Sequence, residues 1–239
     1  MRLLVSVAGP DDARAALAGG ADVIDAKDPG RGALGPVGAD ALAAIRRTVG
    51  PARPVSAALG DARAADAIER AARAVARVGL AFVKVGFAGV TDAARAREFG
   101  AAVQRGAGPG TGVVLVAYAD WRRAASLAPA RVVVVAAELG AAGVLLDTAY
   151  KDTPLFALES PDGVGAWVDA AHAGGLFAAL AGSLTGPDFA TARALDADVV
   201  GVRGAACRGG RRGPVSQARV AALSALARTA PRAPLGVFP

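Results

Sequence analysis

Short apolar runs alternate with longer alanine-rich segments along the whole chain, and the pair repeats eight times. The apolar runs read as strands: LLVSVA (3–8), DVIDAK (22–27), PVSAALG (54–60), FVKVGF (82–87), GVVLVAYAD (112–120), GVLLDTA (143–149), LFAALAG (176–182) and DVVGVRG (198–204). Most are nearly continuous in apolar character, the pattern of parallel strands covered on both faces. The intervening segments, such as DARAADAIERAARAVARVG and TDAARAREFGAAVQRG, carry Asp or Thr at entry and Gly at exit. Those are helix start and stop signals. ASLAPARVVVVAAELG is ambiguous, because four consecutive valines favour a strand locally. Glu138 and Gly140 close it, and the alternation needs a helix there.

Eight strand–helix repeats predict the α/β class and a single (β/α)8 TIM barrel over residues 1–239. An open doubly wound sheet would want a Gly-x-Gly-x-x-Gly turn after the first strand, and the turn here is AGPDD. The length fits one barrel of about 250 residues. No composition shift or long linker marks a second domain.

Charge changes the picture at three positions. Of 27 basic residues only three are lysine, at 27, 84 and 151, and the other 24 are arginine. In a chain that otherwise uses arginine for surface charge, a retained lysine points to chemistry that needs a neutral amine. Guanidinium does not deprotonate in proteins. Lys27 ends the second strand, Lys84 lies in the fourth, and Asp147 ends the sixth with Lys151 four residues beyond. In barrels of this type one interior layer comes from alternate strands, and chemistry collects at the strand C-termini. These groups should therefore converge at the barrel mouth. Asp25 shares strand parity with Lys27, so both face inward if either does.

A buried lysine with a lowered pKa attacks a carbonyl to form a Schiff base, and a second amine nearby lowers that pKa further. Carboxylates such as Asp25 and Asp147 would orient the ammonium groups and shuttle protons. The constellation is carbonyl chemistry and needs no cofactor and no metal. The bland readings are an ion pair or a snorkelling surface side chain, which suits Lys151 in the loop YKDTP better than Lys27 or Lys84. Asp61 and Asp120 follow the third and fifth strands. Asp61 is read as a helix N-cap, because GDARAADAIERA starts a helix there.

Gly182 and Ser183 after the seventh strand, and Arg203 and Gly204 after the eighth, stand where such barrels often hold phosphate. CRGGRRG (207–213) reads as a mobile basic loop that attracts anions and whose arginines need not touch substrate. His172 falls on an outer helix and takes a non-catalytic reading. One His and one Cys cannot build a usual transition-metal site. Cys207 reads as a small buried residue, and Trp121 and Trp167 as packing or subunit-contact residues.

The net charge of +6 suits anionic metabolites better than nucleic acid, since aromatics are scarce and the arginines are dispersed. No apolar run is long enough to predict a membrane span, and the N-terminal apolar stretch is too short for a signal peptide. A single cysteine agrees with a reducing cytoplasm. A homo-oligomer is expected on general grounds.

Taken together, LLVSV, AGGADVIDAKDPGRGALG, VSAALGD, FVKVG, GVLLDTAYKD, AGSL and DVVGVRGAAC resemble the (5-formylfuran-3-yl)methyl phosphate synthase family, also called 4-(hydroxymethyl)-2-furancarboxaldehyde-phosphate synthase. The resemblance runs through the whole chain. It implies a (β/α)8 lyase that condenses two molecules of glyceraldehyde 3-phosphate, a small phosphorylated aldehyde, with release of phosphate and water. The product is the first furan intermediate of methanofuran or an analogue. It further implies that Lys27 is the Schiff-base residue, Lys84 a proton acceptor, and Asp147 and Lys151 supporting residues. Members occur in methanogenic archaea and methylotrophic bacteria, and the arginine- and alanine-rich composition suggests the bacterial branch. Two alternatives stay open: another Schiff-base aldolase or dehydratase acting on a small phosphorylated sugar, and a non-catalytic barrel that binds phosphorylated metabolites.

Overall fold

The computed structural model describes residues 1–228. The single-domain expectation for 1–239 extends into residues 229–239, which lie outside the described residues. Eight parallel strands close into one barrel in chain order: β1 (Arg2–Val7), β2 (Val23–Ala26), β3 (Val55–Asp61), β4 (Phe82–Gly86), β5 (Gly112–Tyr118), β6 (Gly143–Asp147), β7 (Phe177–Leu180) and β8 (Val199–Val202). The helices are α1 (Pro10–Ala18), α2 (Ala39–Val49), α3 (Ala65–Ala76), α4 (Ala93–Ala107), α5 (Pro129–Glu138), the short α6 (Leu155–Leu158), α7 (Pro161–Ala173), α8 (Asp188–Ala194) and α9 (Gln217–Arg228). None is long and apolar enough to cross a membrane among the described residues.

The valine run is helical as expected. Pro129 opens α5 at its first turn, where a missing N–H costs nothing, and Val132, Val133 and Val135 are buried. α4 is capped by Asp92, which accepts from Ala94 N at 2.9 Å, and α7 by Ser160, which accepts from Gly163 N at 3.2 Å. The cap read for Asp61 is corrected: α3 starts at Ala65 behind Ala64, without a side-chain cap. Asp61 is instead the last residue of β3, past a register shift between Ala58 and Asp61.

Strand parity divides the core in two. Outward residues such as Val5, Ile24, Val83, Leu115, Val144 and Val200 pack against the helices. Inward ones such as Phe82, Val114, Leu145, Phe177 and Val199 fill the barrel. At its N-terminal end Phe82 and Phe177 meet edge to face, with centroids 5.4 Å apart. Both rings need glycine neighbours. A Cβ at Gly112 would lie 2.7 Å from the Phe82 ring, and one at Gly143 would lie 2.6 Å from the Phe177 ring. The plug closes the floor and leaves the upper barrel for polar groups. Gly143→Ala should therefore lower stability by about 1–3 kcal/mol through overpacking. Urea denaturation checks this, and an unchanged midpoint would mean the rings move aside freely.

Candidate active site

Above the plug lies a cavity of about 710 Å³, solvent at its mouth included, lined by inward residues of the barrel. Its lower wall is apolar, with Val114, Leu145, Ala179 and Val199. Its upper wall gathers Lys27, Lys84, Asp147 and Lys151.

Asp25 is fully buried on β2 and carries a complete set of donors. Its Oδ1 lies 2.6 Å from Lys84 Nζ and accepts from Ser56 Oγ at 2.7 Å, and its Oδ2 accepts from Ser6 Oγ at 2.9 Å. Burial acts to raise its pKa, but the charges of Lys84 and Lys27 and the hydrogen bonds outweigh it and hold the carboxyl below its ordinary value. Lys84 is nearly as buried, and its pKa is lowered. Burial is the main cause, Asp25 opposes it, and the charge of Lys27 adds to it.

Across the barrel Asp147, at the end of β6, pairs with Lys151. Lys151 Nζ donates to Asp147 Oδ1 at 2.6 Å and to the Thr148 carbonyl at 2.6 Å. Burial acts to raise the Asp147 pKa, and Lys151 and Lys27 together lower it. Burial lowers the Lys151 pKa against the pull of Asp147. Asp147 Oδ2 is buried and has no hydrogen-bond partner among the described residues, on a side chain that lines the cavity.

Lys27 sits between these pairs. Its backbone N–H donates to the Val7 carbonyl at 2.9 Å, continuing the ladder one residue past β2. The side chain is 8% exposed and lines the cavity. Its charge acts on both carboxylates and on both other lysines. It makes no ion pair with either carboxylate, whereas Lys84 and Lys151 each have one.

The loop that carries Lys151 is fixed from the β5 side. Asp120 accepts from Ala149 N at 2.7 Å and from Tyr150 N at 2.9 Å, Arg123 pairs with Asp152 at 2.7 Å, and the Arg123 guanidinium stacks 3.8 Å from the Tyr150 ring centroid. The positioning role of Asp120 was not evident from its place in the sequence. Asp61 also acts at long range. Its Oδ1 accepts from Tyr118 Oη at 2.7 Å and from Ala88 N at 2.9 Å. The pair presses on Gly86, where a Cβ would lie 2.4 Å from either oxygen. Burial and then Asp61 raise the phenol pKa well above its ordinary value, so it stays a donor.

Of the four residues read as phosphate-binding, Gly182 and Arg203 line the cavity, Ser183 is exposed, and Gly204 opens a 3₁₀ turn. Gly182 and Ser183 both have positive φ, +98° and +57°. The Arg203 guanidinium donates to Asp12 Oδ2 at 2.7 Å and to the carbonyls of Ser6, Arg211 and Gly213 at 2.9–3.0 Å. Four of its five N–H groups are thus engaged inside the protein. His172 pairs with Asp198, which precedes β8 at the opposite end of the barrel, and Cys207 is buried. Trp167 donates to the Pro129 carbonyl at 3.2 Å, tying α7 to α5. No group of three or more His, Cys, Asp or Glu converges as a metal site among the described residues.

Fold and cavity define a class: a (β/α)8 enzyme barrel with a lysine–carboxylate site at the C-terminal face of its strands. Within that class the chain belongs to the 4-HFC-P synthase family, whose sequence model matches residues 3–224. It is 43% identical over 216 residues to a (5-formylfuran-3-yl)methyl phosphate synthase of Methanopyrus kandleri, covering 88% of this chain and 91% of that one. It is 37% identical to the Methanocaldococcus jannaschii enzyme of the same name, over 89% and 92% of the two chains. Among solved structures, orotidine 5′-phosphate decarboxylase from Pyrococcus horikoshii superposes with a TM-score of 0.65 at 18% identity, covering 95% of this chain and all of that one. 3-Hexulose-6-phosphate synthase superposes with a TM-score of 0.59 at 20% identity, over 92% and 99%. Likeness at those identities speaks for the barrel alone.

Proposed function

We propose that this protein condenses two molecules of glyceraldehyde 3-phosphate, through an imine at Lys27, into (5-formylfuran-3-yl)methyl phosphate with release of phosphate and water. The observation that carries this reading is the unequal state of the three cavity lysines: Lys84 and Lys151 each hold a carboxylate at 2.6 Å, and Lys27, placed between them, pairs with neither. An amine with no carboxylate at its Nζ is open to the approach of an aldehyde. Curated relatives named (5-formylfuran-3-yl)methyl phosphate synthase support the product in this reading.

The imine makes the adjacent carbon acidic. Lys84, whose pKa burial lowers, is placed to take that proton as a free amine, and Asp25 then holds the ammonium formed. The resulting enamine attacks the aldehyde of the second triose. The unpartnered Asp147 Oδ2 can accept the proton of a substrate hydroxyl, and Lys151 keeps that carboxylate ionised. Phosphate elimination, ring closure and dehydration follow. The backbone amides at Gly182 and Ser183 hold one phosphate. In this reading the enzyme is a lyase and supplies the furan ring of methanofuran or an analogue.

Borohydride reduction in the presence of glyceraldehyde 3-phosphate tests the proposal. Mass spectrometry should find a reduced adduct on Lys27, and the unreduced reaction should gain the near-ultraviolet absorbance of a furan aldehyde. An adduct without furan absorbance would turn the reading to a simple aldolase. No adduct on any lysine would end the imine mechanism.

A further inference from the structure

The basic loop between β8 and α9 is tied to the barrel at several points. Cys207 and Val215 form an antiparallel bridge at its base, Arg208 N donates to the Pro214 carbonyl, and Val215 N donates to Asp12 Oδ1 at 2.9 Å. Arg203 holds the loop from within the barrel, through the carbonyls of Arg211 and Gly213. A Cβ at Gly213 would lie 1.8 Å from the Arg208 carbonyl oxygen, so the turn closes tightly. Gly209 and Gly210, both at positive φ, let the tip fold back.

One side chain of the loop reaches over to the β2 side of the barrel. Arg211 Nη2 reaches the Gly32 carbonyl, on the loop after β2, at 3.3 Å. Its charge is attracted by Asp147 and repels that of Lys151, so it lies within electrostatic reach of the cavity. Among the described residues its guanidinium makes this one long hydrogen bond, while Arg203 has four N–H groups engaged internally. The two arginines have divided roles. Arg203 braces the loop, and the half-buried Arg211 keeps most of its planar fork of donors free of partners among the described residues, the geometry suited to a phosphate.

We propose that Arg211 is the receptor for the phosphate of the second substrate molecule, so that the 207–213 loop forms a second anion subsite facing the backbone-amide subsite after β7. This rests on the two-triose reading above, which requires two phosphates in one cavity at once. It gives the condensation its order, because the first triose is held covalently at Lys27 while the second is held at the rim by charge.

Arg211→Gln removes the fork but leaves the loop anchored, since the anchor to Arg203 is the backbone carbonyl of residue 211. Arg212→Gln, on the exposed neighbour, removes the same charge from the same loop. Steady-state assays with glyceraldehyde 3-phosphate should show KM raised about tenfold or more for Arg211→Gln and changed less than twofold for Arg212→Gln. The borohydride-trapped adduct at Lys27 should form in both variants as in the parent. A KM within twofold of the parent for Arg211→Gln, or an equal loss in both variants, overturns the proposal. Should the parent protein form neither adduct nor furan, the two-triose reading fails, and titration with inorganic phosphate decides the subsite on its own. One fewer phosphate bound by Arg211→Gln supports it, and equal stoichiometry refutes it.

Discussion

Lys27→Arg is expected to leave the barrel folded and to lower turnover on the order of 10⁴-fold or more, the scale seen when a covalent nucleophile is removed. Arginine is the informative replacement because it keeps the positive charge to which Asp25 and Asp147 are coupled. A neutral residue would disturb those carboxylates as well as remove the nucleophile. What arginine cannot do is lose a proton at any working pH, so no imine can form. Lys27 borders open cavity on one side, and the longer side chain has room to lie there. Thermal denaturation should therefore move by only a few degrees, and the reduced adduct should vanish from residue 27. Appreciable turnover in this variant would remove Lys27 as the nucleophile while leaving the fold and family intact.

The site was legible in the sequence for a compositional reason. Lys27, Lys84 and Lys151 stand out because 24 other cations are arginine, and alternate-strand layering then places Lys84 beside Asp25. The strands were legible because parallel strands buried on both faces are nearly continuous apolar runs. Their C-terminal limits were less so. β6, β7 and β8 end two residues before the expected limits, since loop residues at the mouth such as Thr148 and Gly182 are buried like strand residues without belonging to a strand. Contacts distant in sequence were beyond reach. Asp61 has a genuine helix-start context, yet its partner Tyr118 is 57 residues away, and β3 carries it onto the barrel rim. The partner of Arg203, Asp12, is 191 residues away, so its bracing role could not be read locally. Ser6 and Ser56 share inward parity with Asp25 and Lys84, and that parity was the one signal that could have marked them as the other donors to Asp25.

Asp25→Asn is expected to move the pH dependence of catalysis and of stability together. An asparagine can keep the local shape. Its amide oxygen can face Lys84 and Ser56, and its NH₂ can donate to Ser6 Oγ, since a hydroxyl accepts as well as donates. The change is the loss of the negative charge that opposes the effect of burial on Lys84. The Lys84 pKa, already below the ordinary lysine value of 10.5, must then fall further. A weaker base takes the α-proton more slowly, so the plateau of kcat should drop by about 10²-fold or more, while the acidic limb of kcat shifts to lower pH. For stability the sign is fixed by linkage. Between the lowered folded-state pKa of Lys84 and 10.5, the unfolded chain binds the extra proton, so stability rises with pH across that window. Below the window an ammonium ion is buried without its partner, at a cost of about 3–5 kcal/mol. The parent protein depends on pH in a second way, since the Asp25 and Asp147 carboxyls lie below 3.8 in the fold, and their stabilisation is lost as pH falls through those values. The variant keeps only the Asp147 part of that acid loss. Urea titrations at pH 6 and pH 9, paired with kcat profiles, check both signs. An acidic limb that stays in place when the Asp25 charge is gone would mean that Lys84 is not the group that takes the proton.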